Sequence, residues 1–208
     1  MSKGIVIFVE GDTEKKFYSK IISQLRSFAP EQRFIVDKLI IRNLKGIGNY
    51  KSKAKRVFAK QVISGDPGIN FSVVLCYDTD VFDLSPNPPV VWSGVEQELK
   101  ACGAKKVIHV KARRSIEDWF LKDMKGVLRY LRLSEPPSIS KTSGAETIKA
   151  LFKKADKVYI KGSAVEGFVD ALDVKTIMGL ICPELKKLCK ELGIKCAQNK
   201  CRQTEKKQ

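Results

Sequence analysis

At 208 residues the chain is long enough for one domain with a full core, or a domain with a small appendage. Its 43% hydrophobic and 30% charged content suits a soluble globular protein, and no apolar stretch approaches the roughly 18 residues that span a bilayer. With 39 Lys+Arg against 23 Asp+Glu the formal net charge is +16, which points to a negatively charged partner, nucleic acid first, with a plainly solvated surface as the alternative.

Met1-Ser2-Lys3 leads straight into an apolar run without a signal-peptide pattern, so a cytoplasmic location is expected. Gly4 to Val9 is short, nearly unbroken in hydrophobicity and rich in β-branched residues, which is how a strand buried on both faces of a parallel sheet reads. Thr13 stands where it can cap a helix from about Glu14 to Phe28, with Phe17, Ile21, Ile22, Leu25 and Phe28 at helical spacing and Pro30 beyond its end. A second strand is expected over Arg33–Arg42. Gly46-Ile47-Gly48 then opens a basic helix from about Lys51 to Ser64, and Asp66-Pro67-Gly68 is a turn. Phe71 to Tyr77 repeats the pattern of the first strand. The prolines between Leu84 and Pro89 exclude a regular element. A helix from about Ser93 to Cys102 and a strand at Val107–Val110 follow. Ser115 caps a long amphipathic helix reaching Arg132, with Glu117 and Asp118 in its first turn and basic residues in its last.

Strand and helix thus alternate four times, which implies an α/β fold with a mostly parallel, helix-covered sheet over residues 1–135. Beyond Pro136 come short helical patterns at Ala145–Lys154, Ser163–Leu172 and Pro183–Leu192. They read as a helical layer or subdomain over 136–193, and 194–208 as a basic, flexible tail.

Both apolar runs end in carboxylates: Glu10-Gly11-Asp12-Thr13-Glu14 after the first, Asp78-Thr79-Asp80 after the other. In open α/β sheets ligands bind outside the carboxyl ends of the strands, so Glu10, Glu14, Asp78 and Asp80 are expected to share one cleft. Two carboxylates in Asp-x-Asp can reach one divalent cation. Mg²⁺ and Mn²⁺ take such hard oxygen ligands and keep waters for a substrate phosphate. Glu14, one turn into its helix, can point back at the same cleft, although a first-turn glutamate also serves the helix dipole. Asp-x-Asp alone is an ordinary strand-end feature; together with the glutamate pair it is a far sharper signal.

These two motifs resemble the TOPRIM domain of topoisomerases, bacterial primases, RNA-maturing nucleases and OLD-family nucleases. That family places a glutamate after its first strand and Asp-x-Asp after a later one, matched here by Glu10 and Asp78-Thr79-Asp80. Val9-Glu10-Gly11-Asp12-Thr13-Glu14 is most similar to the OLD-like branch and to small bacterial TOPRIM proteins, in which a second glutamate, here Glu14, is also a metal ligand. Arg113-Arg114-Ser115-Ile116-Glu117-Asp118-Trp119 resembles a third acidic element of that branch, with Glu117 as ligand. Ser115 to Asp118 is equally an ordinary helix-start signature. The resemblance covers about Gly4 to Leu131. It implies Mg²⁺- or Mn²⁺-dependent phosphodiester chemistry, with Asp78, Asp80, Glu14 and Glu117 holding one or two metals and Glu10 as general acid/base or shared ligand. It also implies a setting in bacterial defence against mobile DNA. The chain lacks the ATPase half that many OLD-type proteins carry, so nucleotide-driven regulation is expected to come from a protein partner or be absent.

The basic residues supply candidate phosphate contacts. Arg113 and Arg114 precede Glu117 and could clamp phosphate. Lys45 and the helix bearing Lys51, Lys53, Lys55, Arg56 and Lys60 could track a nucleic-acid backbone, or be a solvated helix face. Tyr50 and Trp92 could stack on bases, with packing the plainer reading; His109, in a strand, reads as structural. Six cysteines without a Cys-x-x-Cys pair argue for reduced thiols rather than zinc. Lys161-Gly162-Ser163 reads as a helix start and nothing more. A nuclease is therefore expected, with a nucleotidyltransferase or a non-catalytic nucleic-acid-binding module as alternatives. A homo-oligomer remains open.

Overall fold

A computed structural model describes residues 2–28, 34–83, 88–136, 143–163 and 165–194. Pro30, the proline loop at 84–87 and the tail from 195 on lie outside the described residues. The fold is α/β. Four strands, β1 (Ser2–Val9), β2 (Lys38–Asn43), β3 (Ile69–Asp78) and β4 (Lys106–Ala112), form one sheet in the order β2-β1-β3-β4. Every neighbouring pair is parallel. The central pair is in register from Ser2 opposite Ile69 to Phe8 opposite Leu75, so the two acidic tips leave the sheet side by side.

Helices cover both faces. On one side lie α1 (Asp12–Phe28), α5 (Ile116–Phe120), α6 (Met124–Leu131), α7 (Gly144–Lys154), α8 (Phe168–Ala171), α9 (Val174–Leu180) and α10 (Cys182–Glu191). On the other lie α2 (Asn49–Val57), continued by a π-helical stretch Phe58–Ile63, and α4 (Trp92–Ala101). A short α3 (Asp80–Asp83) caps the end of β3. The alternation of β1 sorts its side chains: Ile5, Ile7 and Val9 enter the first core, Val6 and Phe8 the second. In β3, Val74 and Cys76 join the first, and Val73, Leu75 and Tyr77 the second. Side chains of α7 to α10 share the first core with α1 and the sheet, so the C-terminal helices are a layer on that sheet.

Three elements differ from the sequence expectation. The second strand begins at Lys38 rather than Arg33, with 34–37 in irregular backbone. The long helix from Ser115 is broken by a 3₁₀ turn at Leu121–Asp123. Asp123 caps the restart by accepting from Gly126 N at 3.0 Å and also accepts from Asp173 N at 2.6 Å, so an acid inside the periodic pattern acts as a joint. Helix was expected from Ser163 to Leu172, yet among the described residues of that span only Phe168–Ala171 is helical, and residues 157–163 form a strap of irregular backbone closed by a turn in which Ser163 N donates to Ile160 O at 3.1 Å.

The amino edge of the sheet is fastened by Glu191 at the end of α10. It is buried, 2.9 Å from Lys3 Nζ, and accepts from the Ser72 hydroxyl at 2.9 Å. Burial alone would raise its pKa, but Lys3 and Ser72 outweigh it and hold the carboxyl below its ordinary value. Near the carboxyl edge, the buried Tyr50 hydroxyl donates to Phe8 O at 3.1 Å and contacts Cys76 O, linking β1 and β3 just before their tips. Tyr50 is thus a core residue and is not available to stack on a base.

Candidate active site

The strand tips build the site. β1 delivers Glu10, β3 delivers Asp78 and then Asp80, and β4 leads through Arg113 and Arg114 to Ser115, the N-cap of α5, which carries Glu117. Glu14 sits in the first turn of α1. Glu10 Oε1 accepts from Asp78 N at 3.0 Å, binding the first tip to the second. Asp78 Oδ1 accepts from Ile116 N at 2.9 Å, binding the second tip to the start of α5. Thr79 N and Asp80 N each donate to Arg114 O at 2.9 Å, and Arg114 N donates to Thr79 Oγ1 at 2.8 Å. This exchange holds Arg114 in the left-handed region at φ 67. Lys45, in the loop after β2, is left-handed too, at φ 64, and its neighbour Gly46 donates to Glu10 O at 2.8 Å. Such backbone is costly for residues with a side chain, and it concentrates at functional sites. Here it places the exposed Lys45 and Arg114 next to backbone that is bonded to Glu10 and Asp80.

The strap from 157 to 163 crosses this centre. Its side chains alternate, so Tyr159 and Lys161 point inward. The Tyr159 hydroxyl donates to Glu117 Oε1 at 2.9 Å. Lys161 Nζ lies 2.7 Å from Asp78 Oδ2 and 3.4 Å from Asp80 Oδ2. The strap is fastened where α1 begins: Asp12 N donates to Gly162 O at 2.7 Å, and the Thr13 hydroxyl donates to Ser163 O. Thr13 therefore ties down the strap rather than capping α1, which starts one residue earlier. Gly11 explains the closeness of that fit. A Cβ there would run into Glu14 Oε2 and the backbone of Gly162. Gly162 itself is at φ 81, where glycine is favoured.

Burial and mutual repulsion govern the protonation of the cluster. Burial, then the Asp78 charge, push the Glu10 carboxyl up to about 8. Burial likewise pushes Glu14 up to about 7, with Asp78 and Glu117 adding to it. Asp78 reaches about 6 because burial outweighs the opposing pull of Lys161. For Lys161 the balance reverses: burial would lower the ammonium, but Asp78, Glu117 and Asp80 together raise it above the ordinary lysine value. The ammonium is thus the fixed cation of an otherwise anionic pocket.

The donor set suits a hard divalent cation. Glu10, Asp78 and Glu117 each commit one oxygen to a protein donor, which orients the other. Glu14 Oε2 and Glu117 Oε2 are buried without a hydrogen-bond partner, a condition that a bound cation would relieve. A cavity of about 10 Å³ lies between Glu10, Glu14, Tyr18, Asp78 and Ile116, room for about one water-sized particle. Among the described residues no three acidic, His or Cys side chains already converge in metal-binding geometry. Lys161 stands between Asp78 and Asp80, where a cation held by both aspartates would have to displace its ammonium.

The expected site residues divide into two groups. Glu10, Glu14, Asp78, Asp80 and Glu117 lie at one carboxyl edge, whose rim includes the backbone of Arg114, bonded to Asp80, and of Gly46 after Lys45, bonded to Glu10; Arg113 is exposed beside Arg114. Lys51, Lys53, Lys55 and Arg56 belong to α2, which starts beside that rim and covers the opposite sheet face from α1. Trp92 stacks on Tyr77 at 4.0 Å between ring centroids, and His109 bridges Tyr77 and Glu96 at 3.0 and 2.9 Å, so both serve packing. Sequence reasoning missed Lys161 and Tyr159. The available signal was the period-two alternation of Val158-Tyr159-Ile160-Lys161, which argues for extended chain rather than helix.

The chain matches no protein-family model, no curated protein and no solved structure.

Proposed function

We propose that the protein is a divalent-metal-dependent nuclease of TOPRIM type, nearest the OLD-like branch, cleaving phosphodiester bonds in DNA or RNA. The observation that carries this reading is the meeting of five carboxylates from three strand ends at one sheet edge. Two of their oxygens are buried and unpartnered, and the chain around them has a net charge of +16.

Glu14, Asp78, Asp80 and Glu117 would hold Mg²⁺ or Mn²⁺. Such a metal, when bound, polarises the scissile phosphate and lowers the pKa of a water. Glu10 stands against Asp78 N, where it can act as general acid/base or share a ligand position. Arg113 and Arg114 offer guanidinium groups to phosphate oxygens at the rim. Lys161 neutralises Asp78 and Asp80 before loading. Once shifted, its ammonium remains tethered within reach of the reacting phosphate, where it can offset the charge that builds on the oxygens. Tyr159 orients Glu117.

The test is incubation with plasmid DNA and labelled RNA in Mg²⁺, Mn²⁺ or EDTA. Metal-dependent cleavage without added nucleotide supports the proposal. Incorporation of labelled nucleotide would reassign the same carboxylate platform to nucleotidyl transfer. Salt-sensitive binding with no turnover in any metal would reduce the protein to a binding module. A role in defence against mobile DNA belongs with the nuclease reading, as the setting that the resemblance implies.

A further inference from the structure

The inward face of the strap is part of the site; its outward face is apolar and open. Val158 and Ile160 are 78% and 60% exposed and alternate along the strap with Tyr159 and Lys161, which contact the carboxylates. Single exposed aliphatic side chains are commonplace. Two β-branched ones on a strap fastened over an acidic centre are a different matter. The strap's conformation is maintained from beneath, through Tyr159 to Glu117 and Lys161 to Asp78, and at its ends, through Lys157 N to Phe152 O at 2.9 Å and Gly162 O to Asp12 N. The apolar pair is therefore presented on a supported backbone.

Among the exposed residues that lead into the strap, three lysines outnumber one acid, Asp156. Lys153 and Lys154 are exposed in the last turn of α7, and Lys157 lies 4.5 Å from the centroid of the Tyr130 ring. An anionic polymer suits this frame. The chemistry of Val158 and Ile160 narrows the choice further. Neither side chain can donate or accept a hydrogen bond, so neither can read a base edge or hold a phosphate. They can only pack on an apolar surface, and in nucleic acid that surface is the face of a base. Base faces are hidden within a stacked duplex and open where bases are unpaired or unstacked.

We propose that Val158 and Ile160 form an apolar wedge that packs against unstacked bases beside the phosphate at the acidic centre. The substrate is then nucleic acid with an unpaired or easily opened stretch at the cleavage position. This rests on the nuclease reading for the position of the phosphate, but it concerns binding and can fail alone. The pair sits outside the carboxylate centre, so its substitution leaves the site's polar contacts in place.

The experiment compares the full chain with a Val158→Ser/Ile160→Ser double variant in EDTA, where no cleavage competes. Two probes of equal length and charge are used. One is a fully paired duplex; the other has a short internal unpaired stretch containing 2-aminopurine. Native protein should prefer the unpaired probe by about tenfold and alter its 2-aminopurine fluorescence. The double variant should lose that preference and the fluorescence change while binding the paired duplex as before and melting at the same temperature. Lys157→Glu should weaken both probes alike, since it touches charge only. Equal binding of both probes by native protein, or an undiminished preference in the double variant, would overturn the wedge while leaving metal-dependent cleavage intact. Absence of binding to either probe at low salt would overturn the wedge and the nuclease reading together, and would direct the strap toward a protein partner.

Discussion

Replacing Lys161 by Met tests the centre most directly, because the stem is kept and only the ammonium is lost. The ion pair to Asp78 is 2.7 Å long; the Asp78 side chain is 5% exposed and that of Lys161 33%. Breaking a fully buried pair costs about 3–5 kcal/mol, and an exposed one is worth about 0–1 kcal/mol. With one partner buried and the other one-third exposed, a loss of about 1–3 kcal/mol is expected at pH 8. For a chain of this size that lowers the melting temperature by about 2–12 °C. Lys161 opposes the upward push on Asp78, so removing it lets Asp78 take up a proton more readily. The destabilisation should therefore shrink below about pH 6, where Asp78 is increasingly neutral in both proteins. Mg²⁺ should act in the opposite sense. It no longer competes with the ammonium, so the variant should bind Mg²⁺ about tenfold more tightly if displacement costs about 1.4 kcal/mol. Turnover should fall, since the tethered cation is missing at the phosphate. Thermal melts from pH 5 to 9 with and without Mg²⁺, together with calorimetric titration of the metal, measure these effects. A variant with unchanged melting temperature and unchanged Mg²⁺ affinity would refute the placement of Lys161 between the two aspartates.

The metal-free protein should lose stability as pH rises from about 4.5 to about 8: Glu10, Glu14 and Asp78 are raised to about 8, 7 and 6, so the folded state binds more protons than the unfolded chain in that window. Melts in EDTA across that range check the sign, and saturating Mg²⁺ should flatten the slope. Gly11→Ala should dislodge the strap, because its Cβ meets Gly162 backbone and Glu14 Oε2; turnover should drop at least about tenfold. Faster amide exchange of Asp12 would report that dislodgement, and an unperturbed Asp12 amide would count against the strap's docking. Glu191→Ala leaves Lys3 and Ser72 without their buried partner and should cost about 2–4 kcal/mol in chemical denaturation, with little change in metal-dependent cleavage.

Local pattern carried much of this protein. The apolar runs of β1 and β3 are buried on both faces because they lie at the centre of the sheet, and unbroken hydrophobicity is the direct record of that position. Glu10, Asp78 and Asp80 were legible for the same reason: a carboxylate immediately after such a run must emerge at the strand's carboxyl end, and parallel strands put all those ends on one edge. The helix expected at Ala145–Lys154 was likewise within one residue of its place, since α7 runs Gly144–Lys154 behind its cap Ser143. The break at Leu121–Asp123 was hidden, since Asp123 keeps its place in a helical period while its carboxylate answers to Asp173, fifty residues later.

Lys161 and Tyr159 were hidden more deeply. Their roles arise from contacts spanning 83 residues to Asp78 and 42 to Glu117, and no local period encodes a partner at that distance. The alternation of Val158-Tyr159-Ile160-Lys161 signals extended chain but normally turns its apolar side inward. Here the polar side is buried, because buried carboxylates need a donor and a cation more than the already filled core needs two aliphatic side chains. That inversion, decided by the charge of the pocket beneath, is what only the tertiary structure determined.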